Sequence, residues 1–238
     1  SSIDAIDDRG FDAIDDYRAF VGPFAAHALE EKRRLVYIRF ADHPPLLTAR
    51  KDVVVYHLDA LAGFESFSAE LNRIIAKEGR GVFYVFDCLS DLLSAWSNDL
   101  MIGNFFKITC PYLFELETIA YFGLLRNNHS FKTIARIRDT TQLLIDVYQH
   151  AGNCYVHPLK VWDRYSPTMF LPHVRRESGQ FVPIASSADT AALFADIFAK
   201  GTTPIDRKLD YWDRLFMAAG QLAARTDAPA KERAEMAA

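Results

Sequence analysis

Apolar residues recur along the chain in two alternating patterns, one typical of helices and one of strands. Residues 14 to 32 carry apolar side chains at spacings of three and four, which predicts an amphipathic helix that Pro23 kinks or splits. Short β-branched and aromatic runs predict five strands, at 35–40, 53–58, 82–87, 117–123 and 143–149. Helical patterns stand between most of these runs, so we expect a mainly parallel α/β sheet of at least five strands with helices on both faces.

The pattern changes after about residue 150. The segments NCYVHPLKVWD, PTMFLPHV and GQFVPIA predict short strands joined by turns, and hence a C-terminal antiparallel β extension. Helical patterns at 187–201 and 209–225 close the chain, before a tail at 227–238 that we interpret as a frayed end or linker stub. Because residues 14 to 226 contain no Pro/Gly/Ser-rich linker, we expect a single domain over 1–226.

Composition excludes several classes of protein. The 238 residues are 50% hydrophobic and 24% charged, which is typical of a globular chain with a sizeable core. The net charge is −4 and the basic residues are dispersed, so no nucleic-acid footprint is visible. Apolar stretches stay shorter than the roughly 20 residues of a membrane-spanning helix. Three widely spaced cysteines in apolar segments indicate reduced thiols, and we expect a cytoplasmic protein.

The most suggestive polar residue is Asp87. It follows the apolar run GVFYVF and precedes a helical pattern, as does an aspartate that holds Mg²⁺ at the carboxyl end of a buried strand. The matching phosphate loop G-x-x-x-x-G-K-[ST] is missing, because none of the 11 glycines precedes a lysine. The segment SSIDAIDDRGFDAIDD, before the first helix, places carboxylates where phosphates would bind. The alternative is that Asp87 only caps a turn or helix, with Asp91 capping the helix at 92–96.

Other enzyme motifs are absent. A second aspartate two positions after Asp87 would suggest a haloacid-dehalogenase nucleophile, but position 89 is leucine. Neither G-x-S-x-G nor H-E-x-x-H occurs, so the sequence favours no hydrolase. The seven histidines, His129 among them, show no short ligand spacing, and we interpret them as turn or surface residues without a metal site.

The order of elements resembles the KaiC branch of RecA-like ATPases over roughly residues 11–185. The phrases DYRAFVGPFA, YIRFADHPPLL, DLMIGNFFKITCPYLFELETIAYF and VWDRYSPTMFLPH look more specifically like the KaiC-like module at the N-terminus of some pyruvate phosphate dikinase or phosphoenolpyruvate synthase-related proteins. This resemblance implies a RecA-like fold. It also implies that ATP-grasp and phosphotransfer domains of the parent protein, which would follow this chain, are its partners.

The resemblance also assigns roles to individual residues. Asp87 matches the aspartate on the magnesium side, and Lys160 matches the lysine of an L-K-x-R hairpin that reaches a neighbouring subunit's γ-phosphate. The arginine of that hairpin is absent because position 162 is tryptophan, and Arg164 stands two residues further on. Loss of both the phosphate loop and the arginine implies that ATP is not hydrolysed.

We therefore expect a non-catalytic regulatory or docking module that needs no cofactor and binds MgATP weakly or not at all. The alternative is a nucleotide-binding ATPase with a nonstandard phosphate loop. A homo-oligomer is also possible in either case. Mixed aromatic and basic residues mark a candidate ligand or partner surface, whose alternative is ordinary hairpin pairing and a solvated helix face: Trp162, Arg164, Tyr165, Arg136 and Arg138.

Overall fold

Helices and strands alternate as far as residue 140, and strands then dominate. The computed structural model describes residues 14–48, 50–125, 128–150 and 152–198, so the predicted helix at 209–225 and the tail at 227–238 lie outside the described residues. The helices are α1 Ile14–Glu30, α2 Phe64–Glu78, α3 Leu93–Trp96, α4 Leu100–Glu115, α5 Phe131–Thr140 and α6 Ser187–Phe198. The strands are β1 Leu35–Arg39, β2 Val53–His57, β3 Phe83–Cys88, β4 Ile119–Gly123, β5 Leu143–His150, β6 Asn153–Val161, β7 His173–Arg175 and β8 Phe181–Pro183.

Four strands form a parallel sheet in the order β2-β1-β3-β4. All six residues of β3 are buried, as expected for a strand that has neighbours on both sides and helices over both faces. The predicted α/β class, a parallel sheet between helices with a separate antiparallel extension, is confirmed.

The two faces of this sheet are covered by different helices. On one face, α1 packs Val21 and Phe24 against the sheet, and the Phe24 ring stacks on Phe83 and Tyr121 with centroid distances of 5.1 and 4.0 Å. Pro23 lies inside α1 and does not split it. On the other face, α2 and α4 bury the largest apolar cluster among the described residues, which includes Trp96. The parallel sheet, including the carboxyl ends of its strands, therefore lies between two packed apolar layers.

A second sheet is antiparallel, with the order β5-β6-β7-β8. The expectation that 143–149 would be a fifth strand of the parallel sheet was wrong, because β5 pairs with β6 along its length as a hairpin. His150 pairs with Asn153, and a link this short joins strands only in antiparallel fashion. Val147 and Val156 of the hairpin pack into the same apolar cluster as α1.

Helix α5 lies close against α4. A Cβ atom at Gly103 would come within 3.1 Å of the Arg136 Cδ, so the absent side chain permits this approach. Arg136 also donates a hydrogen bond to Asn104 of α4. The packing holds the segment before α5, which carries His129, beside the start of α4.

Cys88, Cys110 and Cys154 are buried free thiols, as the sequence predicted. Burial raises the pKa of the Cys88 thiol to about 11 and that of Cys110 to about 12. In the part of the chain that the structure describes, no helix combines the length and the apolar character needed to cross a membrane.

Candidate functional site

Asp87 lies near the end of β3, at the carboxyl edge of the parallel sheet, and its exposed fraction is 0%. The Tyr37 hydroxyl of β1 donates a hydrogen bond to Asp87 Oδ1. The backbone N–H groups of Phe40 and Ala41 donate to Asp87 Oδ2 at 2.9 and 3.0 Å. Three donors, one on β1 and two just after it, therefore surround the buried carboxylate. Their hydrogen bonds compensate for the loss of water around it.

His43 closes the remaining side of this carboxylate. Its Nε2 atom lies 3.4 Å from Asp87 Oδ1 and 3.8 Å from Asp91 Oδ2. Its Nδ1 atom donates to the Pro44 carbonyl at 2.8 Å, because a carbonyl oxygen can only accept. Burial raises the pKa of Asp91, the nearby imidazole opposes this shift, and the negative charge of Asp87 adds to it.

The same contacts fold residues 40 to 46, which we call the HPP loop. The Tyr37 hydroxyl accepts a hydrogen bond from the Leu46 N–H at 3.1 Å while it donates to Asp87. Burial, and then the bond to Asp87, raise the pKa of Tyr37, so that its hydroxyl remains a donor. Arg39 donates to the His43 carbonyl at 2.7 Å. Asp87 thus organises the connection that leaves β1.

Magnesium does not fit this arrangement. Asp87 Oδ2 accepts two backbone N–H groups and Oδ1 accepts the Tyr37 hydroxyl, while the His43 ring lies 3.4 Å from Oδ1. An oxygen that binds a metal ion would first have to give up its hydrogen bonds to protein donors. Within the described ranges, no group of three or more His, Cys, Asp or Glu side chains could hold a metal ion.

The start of α1 lies beside this edge. The Tyr17 hydroxyl, in the first turns of α1, shares its one proton between the carbonyls of Phe86 and Tyr121, at 3.0 and 2.8 Å. Burial raises the pKa of Tyr17 well above its usual range, so the phenol keeps its proton. A helix N-terminus attracts anions, but Asp15 and Asp16 occupy the first turn of α1. Their carboxylates disfavour a phosphate at this position.

Lys160 has a different set of contacts. Its ammonium donates to the carbonyls of Arg138 and Asp139, the latter at 3.1 Å, in the last turn of α5. A cation is favoured there because the last carbonyls of a helix carry partial negative charge. Lys160 bonds to the end of α5, whereas Asp87 bonds to β1 and the HPP loop, so the hydrogen bonds do not join them into one site.

The predicted aromatic and basic surface is only partly assembled. The Trp162 ring is 55% exposed and meets the Phe114 ring of α4 edge-on, with a centroid distance of 5.8 Å. We call these two rings the Phe114–Trp162 patch. Tyr165 is 86% exposed and Arg164 is exposed as well. Of the two arginines on α5, Arg138 is exposed, whereas Arg136 is half-buried against α4.

The structure also joins three residues that sequence reasoning did not connect. The Ser90 Oγ atom lies 2.7 Å from His129 Nε2, and His129 Nδ1 lies 2.7 Å from Asp99 Oδ1. The backbone N–H of Leu125 donates to Ser90 Oγ at 2.8 Å, and that of Ser130 donates to Asp99 Oδ2 at 2.8 Å. We call Ser90, His129 and Asp99 the serine relay.

The structure narrows one expectation about this region and contradicts another. Of the two alternatives, turn or surface residue, His129 lies in the bend before α5, but its side chain is 1% exposed and its ring is buried between two hydrogen-bonding partners. Asp91 does not cap the short helix α3, which begins after Leu92 without a side-chain cap. Its carboxylate lies towards His43 instead. One sequence signal could have pointed to the relay, since Ser90 comes two residues after the end of a buried strand.

Asp99 lies at the beginning of α4. Burial raises its pKa, but hydrogen bonds from Ser130, Thr133 and His129 together outweigh that effect, and the net pKa is lowered. Asp99 is therefore a carboxylate at neutral pH, and it accepts a hydrogen bond from His129 Nδ1.

The comparisons with known proteins give likenesses to solved structures alone. No family model matches the chain, and no curated protein matches it either. Among solved structures, the chain is similar to the flagellar accessory protein FlaH from Methanocaldococcus jannaschii, with 12% sequence identity and a TM-score of 0.45. The similarity covers 71% of this chain and 84% of that one.

Proposed function

We propose that this chain is a RecA/KaiC-like module that does not hydrolyse nucleotides and acts as a regulatory or docking domain of a pyruvate phosphate dikinase or phosphoenolpyruvate synthase-related phosphotransferase. The observation that carries the proposal is the Asp87 carboxylate, which accepts three hydrogen bonds from the protein. A carboxylate that holds magnesium must offer an oxygen to the ion, whereas both Asp87 oxygens bind the HPP loop and Tyr37.

Charges elsewhere support the same proposal. The first turn of α1 carries two acids, and the lysine that the resemblance assigns to a γ-phosphate caps α5 instead. Phosphoryl transfer depends on cations placed around the transferred group. The three groups that the nucleotide site would use are therefore either engaged in holding the fold together or of the wrong charge.

The docking part of the proposal rests on exposed aromatic area. The Phe114–Trp162 patch joins the end of α4 to the antiparallel sheet, and Tyr165 follows it in the chain. Exposed aromatic rings beside arginine side chains are enriched in protein interfaces. We propose that the ATP-grasp or phosphotransfer domains of the parent protein cover this patch.

Ligand-induced stabilisation tests the nucleotide part. We expect no change in melting temperature at millimolar MgATP. A nucleotide present at 100 times its Kd would add about 2.7 kcal/mol to the free energy of unfolding, and the melting temperature would then rise. Equilibrium dialysis of the wild-type chain with radiolabelled ATP gives a second measurement that needs no variant. A clear thermal shift that Asp87→Asn removes would contradict the proposal and favour a nucleotide-binding ATPase.

A binding experiment tests the docking part. The parent protein's remaining domains would be titrated with this module, and we expect Trp162→Ala to weaken their binding about tenfold or more, as for an aromatic interface residue. Phe131→Ala is the matched control, because Phe131 is an 83% exposed aromatic residue outside the patch. Equal effects of the two variants, or no effect of Trp162→Ala, would remove the patch as the docking surface.

A further inference from the structure

We propose that Ser90 is an activated nucleophile, with His129 as its general base and Asp99 as the group that orients the base, and that it reacts with small esters and related acyl compounds. This activity is independent of nucleotides and of the docking proposal. It rests on the two 2.7 Å contacts that join the three side chains.

The hydrogen bonds of the serine relay have a defined direction. Asp99 is a carboxylate and only accepts, so His129 Nδ1 carries a proton and donates it. In the neutral ring, Nε2 then has a free lone pair, and the Ser90 hydroxyl donates to it at 2.7 Å. A general base for serine needs this tautomer, with the proton on the nitrogen that faces the carboxylate.

The surrounding backbone holds both ends of the serine relay. The Ser130 N–H donates to the second oxygen of Asp99, which keeps that carboxylate facing His129. The Leu125 N–H donates to Ser90 Oγ. Because a hydroxyl oxygen has two lone pairs, the bond from Leu125 leaves a second one, and attack on an acyl carbon would use it in competition with the nearby Cys88 thiol.

The position of Ser90 also favours reactivity. Ser90 lies in the 3-10 turn Leu89–Leu92, which directly follows β3. A nucleophile on a tight turn between a strand and a helix is placed at the carboxyl edge of a sheet, where ligands bind in α/β folds. The triad arrangement recurs on unrelated folds and is recognised by its geometry, so the absence of G-x-S-x-G does not exclude it.

Burial defines the class of substrate. Ser90 is 6% exposed and the His129 ring is buried beside it, so we expect only a small acyl group to reach Oγ. Apolar residues lie on the neighbouring elements, and none of the hydrogen bonds described for the relay comes from a cation that would recognise a charged acyl chain. Short, uncharged esters are therefore the expected substrates.

The reaction balances with water as the second reactant. A bond forms between Ser90 Oγ and the carbonyl carbon while the hydroxyl proton passes to His129 Nε2. The bond from carbon to the alcohol oxygen breaks, and His129 gives that proton to the leaving alcohol. Water then attacks the acyl-serine with His129 as base again, which releases the carboxylic acid and restores Ser90.

A fluorophosphonate probe tests the proposal on the wild-type chain, without any variant. The probe forms a covalent bond with activated serines, and intact mass followed by peptide mapping would locate the adduct. We expect one adduct per folded chain, on Ser90, and slow hydrolysis of p-nitrophenyl acetate. No adduct under excess probe, or an adduct at another serine, would overturn the proposal.

Variants then separate a nucleophile from a buried structural serine. Ser90→Ala should abolish labelling, and Ser94→Ala is the matched control, because Ser94 is an exposed serine four residues away. His129→Gln should slow labelling about 100-fold or more if the ring acts as a base. Circular dichroism would confirm that this variant is folded, and labelling of folded His129→Gln at the rate of Ser94→Ala would overturn the proposal.

Discussion

Two polar clusters lie at the end of the same strand, and they differ in what their groups can still do. Around Asp87, every contact converges on one carboxylate, and the donors come from β1 and the HPP loop. In the serine relay, the groups form a line in which each one donates to the next, and they come from the β4 side of β3. The difference teaches that a buried charge needs several donors of its own, whereas a neutral hydroxyl and imidazole are satisfied by a chain of single hydrogen bonds.

The strand order explains why the two clusters separate. β3 lies between β1 and β4, so residues at its end contact the segments that leave either neighbour. Asp87 binds the segment after β1, and Ser90, three residues later, binds the segment after β4. The segment after β1 closes the side of the edge that carries the acid, and the chemistry that we propose for Ser90 lies on the other side.

Removing the Asp87 carboxylate is expected to have the largest effect. Asp87→Ala leaves the Tyr37 hydroxyl and the N–H groups of Phe40 and Ala41 without their acceptor, and should lower the free energy of unfolding by about 3–5 kcal/mol. Urea unfolding followed by circular dichroism measures this loss.

Asp87→Asn provides the control for that experiment. Its amide oxygen still accepts the two N–H groups, so the loss should be about half as large. If Asp87 served only to hold a metal ion, then Asp87→Ala would change the stability of the metal-free chain by less than about 0.5 kcal/mol. That outcome would break the comparison, because the hydrogen bonds of Asp87 would no longer account for the stability of the HPP loop.

The effect of Asp99→Asn on the free energy of unfolding at different pH values tests the serine relay. Because folding lowers the pKa of Asp99, its contribution is fully present above the unfolded value of about 3.9 and is lost as pH falls through the lower folded value. At pH 7 the variant should be less stable than wild type by about 1–2 kcal/mol.

Urea unfolding at several pH values measures how this difference changes. The gap between wild type and Asp99→Asn should narrow below about pH 4, as wild-type Asp99 takes up its proton. Asp163→Asn, at an exposed position, should show no such change. A gap that stays constant with pH would mean that the charge of Asp99 does not hold the serine relay.

Lys160→Met is expected to have the smallest effect on stability. It removes a cation from the last turn of α5 and should cost about 0.3–1 kcal/mol, while Lys160→Arg should retain most of that stability. Thermal unfolding at low salt measures the difference best, because salt screens the interaction. A loss as large as that of Asp87→Ala would show that Lys160 does more than cap the helix.

Sequence periodicity predicted the parallel part of the fold well because its strands are short apolar runs separated by turns or helices. The predicted strands at 35–40, 53–58 and 82–87 match β1, β2 and β3 to within one residue at each end. Sheet membership was harder to predict. The run at 143–149 is a strand, but the partner of a strand depends on the turn that follows it, and the close link to β6 decided the pairing.

The candidate site was less accessible to sequence reasoning. Asp87 stood out because one acid ended an apolar run, but its donors are backbone groups and a tyrosine about 50 residues away, which no motif describes. The serine relay joins residues 90, 99 and 129, and two of its three members lie in loops or at a helix end. Only the sheet order and the packing of α4 against α5 bring these residues together.

The Tyr17 hydroxyl has a consequence for the order in which the chain folds. It joins α1 to the carbonyl of Phe86, 69 residues away, and to that of Tyr121, 104 residues away. Contacts between such distant residues require large loops to close, whereas the β5–β6 hairpin closes a short one. The hairpin can therefore form early, and the bonds of Tyr17 to the ends of β3 and β4 come late, so the carboxyl edge is completed only near the end of folding.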